Sequence, residues 1–142
     1  MKPIEREYCE NITLKYLNHD LAVPFLQPVD EVRDGAVDYH NIIKHPMDLT
    51  TLHNNLKANK YTRSEEWKTD FLRIWANAIQ YNQRHKNMVY DIAIILQKEA
   101  KQDTEIIPKT SNDIWFLKLR QAALKVEEEL GKGSHSSSKS RR

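Results

Sequence analysis

The sequence predicts an all-α protein: a bundle of four helices, a long loop between the first and second, and one further helix towards the C-terminus. Two observations carry that expectation. Only three glycines and five prolines occur in 142 residues, and apolar side chains recur at three- and four-residue spacing in separate stretches rather than alternating. With 39% hydrophobic and 30% charged residues the composition is that of a soluble globule. The length suits one domain with its own core.

Ile4, Tyr8, Ile12, Leu17 and Leu21 approximate a helical repeat, so the first helix is expected over residues 2–21. From Ala22 to Met47 the repeat stops, broken by Pro24, Pro28, Gly35 and Pro46. A stretch of about 25 residues without regular structure is unusual in a compact domain, and where it does occur it is usually functional or disordered. Phe25, Leu26, Val29, Tyr39, Ile42, Ile43 and Met47 make this one too apolar to stay in water, because each large side chain gains roughly 1.5–3 kcal/mol on burial. The loop is therefore expected to fold onto the bundle.

Asp48 stands one residue before Leu49, Leu52 and Leu56, where its carboxylate can cap a short second helix ending near Ala58. Thr62 or Ser64 opens a longer helix, with Glu65 and Glu66 in its first turn and a buried stripe of Trp67, Phe71, Ile74, Trp75, Ala78 and Tyr81. It is expected to end near Tyr81 and Asn82. The segment Gln83 to Asn87 is wholly polar, after which Val89, Ile92, Ala93, Leu96 and Ala100 resume helical spacing as a fourth helix. Pro108 interrupts the pattern before Ile114, Leu117, Leu124 and Leu130 suggest a helix rich in Lys and Glu. The expected organisation is thus a bundle over 1–107, a helical extension over 108–130 and a disordered basic tail over 131–142.

The long apolar loop and the short polar loop between the third and fourth helices fall at one end of such a bundle, the natural place for a pocket. The residues there carry a resemblance. Pro24-Phe25, Pro28-Val29-Asp30, Asp38-Tyr39, then Ile43 through Leu49 (IKHPMDL), then Asn77 through Asn82 (NAIQYN) stand in the order and at separations similar to those of the bromodomain family. The resemblance covers about residues 14–102 and implies a left-handed four-helix bundle that binds N-acetyl-lysine.

Acetylation turns a lysine ammonium into a neutral amide, which needs an apolar sleeve for its alkyl chain and a donor for its carbonyl oxygen. By resemblance, Asn82 supplies that donor and Tyr39 holds a bridging water. Pro24, Phe25, Val29 and Tyr81 line the sleeve, and Met88, six residues after Asn82, guards its mouth. Alone, Asn82 reads as an ordinary helix-end residue, since Asn tolerates left-handed backbone there. Asn77 is expected to pin the long loop. Val23 departs from the pattern, because many members carry an aromatic residue before the Pro-Phe pair; with Asp34 and Ala36 it is assigned to the pocket rim.

Charge divides across the two loops. Asp30, Glu31, Asp34 and Asp38 outweigh Arg33, a balance suited to lysine-rich tails or simply to a solvated loop. Arg84, His85 and Lys86 make the other rim basic.

The overall formal charge of +2 lacks the excess expected of a protein that lives on phosphate backbones. No stretch is apolar enough to span a bilayer, the single Cys9 admits no internal disulfide, and the scattered histidines show no metal-site spacing. No nucleophile and base assemble and no phosphate loop occurs, so neither enzyme activity nor a cofactor is expected. The resemblance implies acetylated histone tails or other nuclear acetyl-proteins as partners, with chromatin-complex subunits and a nuclear location. Direct nucleic-acid binding by the basic rim and tail, on a bundle that has lost the acetyl ligand, is the alternative.

Overall fold

Every regular element among the described residues is a helix. The computed structural model describes residues 1–140, with side chains described over residues 1–131. Contacts divide the chain into two units, Met1–Ile107 and Pro108–Arg142.

In the first unit α1 spans Pro3–Leu17, shorter than the repeat predicts. The chain leaves the α-helix at Asn18, whose backbone and side-chain N–H groups both turn back to the Leu14 carbonyl. His19 then caps a separate 3-10 turn, Asp20–Phe25, by accepting the Leu21 N–H on Nδ1 at 3.1 Å. Leu21 belongs to that turn and is exposed. The stripe that α1 buries is also rotated from the expected one: it is Glu5, Cys9, Ile12, Thr13 and Tyr16. Thr13 belongs inside because its hydroxyl donates to the Cys9 carbonyl at 2.7 Å and accepts the Trp67 indole N–H at 3.1 Å.

The long loop is not devoid of regular structure. Beyond the 3-10 turn it holds a one-turn helix, α2 (Tyr39–Ile42). Next, α3 runs Leu49–Lys57, and the Asp48 carboxylate accepts the Thr51 N–H at 2.9 Å as its sequence position predicts. Helix α4 spans Ser64–Asn82 without a side-chain cap, and the Thr62 hydroxyl instead bonds the Glu66 carboxylate at 2.6 Å. Helix α5 spans Met88–Asp103, capped by Asn87.

Helix α4 buries Trp67, Phe71, Ile74, Trp75 and Ala78 on one face. Trp67 stacks on Phe71, and Phe25 meets Trp75 edge-on at 5.1 Å, which draws the start of the long loop into the main core. A polar seam joins α1 to α5: the Tyr16 hydroxyl donates to Asp103 at 2.7 Å, and Lys15 pairs with both Asp103 and Glu99. Helices α1, α3, α4 and α5 form the bundle, α4 lying against α1, α3 and α5.

The second unit is one helix, α6 (Ser111–Ser140). Asp113 accepts the Lys109 and Thr110 N–H groups, and the Thr110 hydroxyl accepts that of Asp113, a reciprocal cap. The tail expected over 131–142 lies, from residue 132 on, outside the residues whose side chains are described. Among the described residues no helix is long and apolar enough to cross a membrane.

Candidate functional site

The long loop folds by satisfying its own backbone. The Asp30 carboxylate accepts the N–H groups of Val32 and Arg33, Asp34 accepts the N–H of Asp30, and Arg33 reaches the Pro28 carbonyl and pairs with Asp34. Glu31 accepts both the backbone N–H and the imidazole Nδ1 of His40, at 3.0 and 3.1 Å. These contacts hold the Glu31 carboxyl below its ordinary range, and Arg33 does the same for Asp34. Three of the four acidic residues of this rim thus brace the loop. Gly35 (φ +64°) and Asp38 (φ +63°) make the two left-handed turns that bring Ala36 and Tyr39 inward.

What the loop encloses is a second apolar cluster, distinct from the main core: Ala36, Tyr39 and Ile43 are buried, with Val29 and Tyr81 packed against them. The Tyr39 ring meets Tyr81 edge-on at 4.9 Å and is 5% exposed. Its hydroxyl has no protein hydrogen bond among the described residues, and burial, then the neighbouring Tyr81, pushes its pKa up to about 12. It is therefore a neutral phenol at physiological pH. The loop is fastened to the bundle by the Tyr81 hydroxyl on the Val37 carbonyl at 2.8 Å, Asn77 Nδ2 on the His45 carbonyl at 2.8 Å, the Thr50 N–H on the Leu26 carbonyl at 3.1 Å and Gln27 Nε2 on the Thr50 hydroxyl at 3.4 Å.

Asn82 is the last residue of α4 and half-buried. One N–H of its side-chain amide goes to the Ala78 carbonyl at 2.8 Å, and its oxygen accepts from Asn87 Nδ2 at 2.8 Å. The amide is thereby oriented from both sides and retains its second N–H as a donor. Asn87 uses its own oxygen to accept the Tyr90 N–H at 3.0 Å and so caps α5. One side chain fixes both the candidate recognition amide and the helix beside it.

The structure gathers Val29, Tyr39 and Tyr81 into one cluster and anchors Phe25 in the main core. Ala36 sits inside the cluster at 8% exposure rather than on the rim, because the turn at Gly35 directs its methyl inward. Val23 and Met88 are exposed, at 66% and 76%, as are Pro24 and Asp34. Arg84, His85 and Lys86 are also exposed, with the Lys86 ammonium 5.8 Å from the Tyr90 ring. Sequence reasoning missed Asn87, grouped with a polar linker although its place before the apolar run of α5 is a cap signal. It also missed the tether made by the Tyr81 hydroxyl, which leaves no mark in one dimension.

Among the described residues no group of three or more His, Cys, Asp and Glu is placed to hold a metal ion. Comparison with known proteins bears on the whole arrangement. The bromodomain family model matches residues 9–94. The chain is 36% identical over 86 residues to tyrosine-protein kinase BAZ1B of Mus musculus, covering 61% of this chain and 6% of that protein. It is 35% identical over 103 residues to SAGA complex subunit SPT7 of Saccharomyces cerevisiae, covering 72% of this chain and 8% of that protein. The chain thus spans less than a tenth of the length of either relative.

Proposed function

We propose that this chain, which belongs to the bromodomain family, binds N-acetyl-lysine at the loop end of its bundle, with Asn82 donating to the acetyl carbonyl oxygen. The family is a binding module rather than a catalytic one, and the chemistry sought is recognition. The observation that carries the reading is the state of the Asn82 amide: bonded to Ala78 and Asn87, it is fixed in orientation and still has one N–H to give. A preoriented donor avoids the ordering cost that a mobile one would incur on binding.

Around it, Tyr39 offers a neutral hydroxyl for a bridging water, while Val29 and Tyr81 offer apolar surface to the lysine alkyl chain. An unmodified lysine brings a charge and three donors to a site that already presents a donor, and is disfavoured by desolvation. The matched relatives include a subunit of a named complex, SAGA. We extend the reading accordingly to acetylated histone tails or other nuclear acetyl-proteins, with this chain serving a chromatin complex in the nucleus. The exposed Met88 and Val23 leave the mouth of the site adaptable, so affinity for any one peptide is modest.

The test is titration of acetylated and unacetylated histone-tail peptides while following the Asn82 side-chain amide by NMR. The amide should shift with the acetylated peptides alone. Asn82→Ala should weaken binding by about 1–3 kcal/mol, or about five- to 150-fold. Acetyl-dependent binding that survives this change intact overturns the role of Asn82. Salt-sensitive DNA binding with no acetyl-dependent shift would instead favour a bundle used for nucleic-acid contact.

A further inference from the structure

The second unit carries a feature that acetyl-lysine binding does not use. Along α6, Phe116, Leu119, Ala123, Val126 and Leu130 follow one another at intervals of three, four, three and four residues. This is the repeat of a coiled-coil seam, in which one narrow stripe faces a partner helix. All five residues are exposed, Phe116 at 51%, Leu119 at 53%, Val126 at 55% and Leu130 at 66%. A helix with such a stripe left in water is marginal, because most helical stability in proteins comes from packing an apolar face.

We propose that this face of α6 pairs with the same face of a second copy of the chain, the two helices running antiparallel. The flanking charges fix both the occupant and the direction. With Phe116 at the first core position of the heptad, Arg120 and Glu127 occupy successive positions on the same edge of the seam. An antiparallel pairing that sets Leu119 against Leu130 of the second copy, and Ala123 against its Val126, also sets Arg120 against its Glu127. By symmetry the opposite pair forms too, so the dimer gains two matched ion pairs. In a parallel pairing those edges bring Ala122 to Glu127 and Trp115 to Arg120, and no opposite charges meet. The helix is complementary to itself only in the antiparallel sense. Leu124, 56% exposed, lies off the seam and serves as an internal control.

Sedimentation of the full chain from micromolar to millimolar concentration tests this. The protein should pass from monomer to dimer, and Leu119→Asp or Leu130→Asp should weaken association about tenfold or more, whereas Leu124→Asp should not. Arg120→Glu and Glu127→Arg should each weaken the dimer, since each places like charges across the seam twice. The double variant, and an equimolar mixture of the two single variants, should restore it. Residues seven apart on one helix are separated by about 10 Å, so such rescue reports a contact between chains. Circular dichroism confirms that each exposed-site variant remains folded. A chain that stays monomeric throughout, which would leave the stripe to a different protein, overturns the proposal. Association insensitive to Leu119 and Leu130, or charge reversal without rescue, overturns it as well.

Discussion

Asn87 donates from Nδ2 to the Asn82 side-chain oxygen at 2.8 Å while its own oxygen accepts the Tyr90 N–H at 3.0 Å. The start of α5 and the amide at the end of α4 are thus held by one planar group. Asn87→Ala should remove both functions, destabilising the protein by about 0.5–2 kcal/mol through loss of the cap and weakening acetyl-lysine binding by freeing the Asn82 amide to rotate. Asn87→Ser separates the two, because a serine oxygen still caps the helix but is too short to reach Asn82. Its melting temperature should match the parent while peptide affinity falls several-fold. Affinity unchanged in the serine variant would show that Asn82 does not need its neighbour.

Tyr81 has two attachments to the long loop, its ring against Tyr39 and its hydroxyl on the Val37 carbonyl. Tyr81→Phe keeps the first and removes the second, at a cost of about 0.5–1.5 kcal/mol. Because the bond spans from α4 to the loop, the loss should appear as local opening. Amide exchange over residues 36–43 should accelerate while that of the α4 core stays as it was. Uniform acceleration across the chain, or none at all, would contradict a local tether.

The two apolar stripes of α3 and α4 were legible in the sequence because their buried residues are hydrophobic and helically spaced. Asp48 was legible as a cap because it precedes such a stripe. The stripe of α1 was not, since it includes Glu5, Cys9 and Thr13. Thr13 is buried by virtue of its bond to Trp67, 54 residues away, which hydropathy cannot register. Helix α2 escaped notice for a similar reason: its first turn depends on the left-handed Asp38 and on Glu31 bonding His40 from the preceding turn. At the site, Tyr39, Val29 and Tyr81 were assigned by resemblance alone, and periodicity gave no hint that they form a cluster separate from the core. Asn87 had a readable signal, its position before the α5 stripe, obscured by the polar residues around it.

Thr13 provides a measure of the core independent of the ligand site. Its hydroxyl accepts the Trp67 indole N–H, and both residues are fully buried. Thr13→Val preserves shape but leaves that N–H without its partner, so stability should fall by about 1–3 kcal/mol. In denaturant unfolding the midpoint should drop with the slope unchanged, and acetyl-peptide affinity should not alter. In a Trp67→Phe background the same change should cost markedly less, because the orphaned donor is absent. Equal costs in the two backgrounds would mean that the hydroxyl contributes through something other than Trp67.

Acid should loosen the long loop before it unfolds the bundle. The Glu31 carboxylate accepts the His40 backbone N–H and imidazole, and these bonds lower its pKa from the ordinary 4.5. Asp34 is lowered from 3.8 by Arg33 and by the Asp30 N–H. A carboxyl whose folded pKa is lowered supports the fold above its unfolded value and withdraws that support as pH falls through the folded one. The window therefore opens just below pH 4.5 and extends downward, and nothing should change here between neutral pH and that point through Glu31 or Asp34. The His40 backbone amide should report it, with an NMR shift whose inflection lies below 4.5 and is lost in Glu31→Gln. No inflection below 4.5 in the parent, or one below 4.5 that persists in the glutamine variant, would show that Glu31 does not brace the loop in solution.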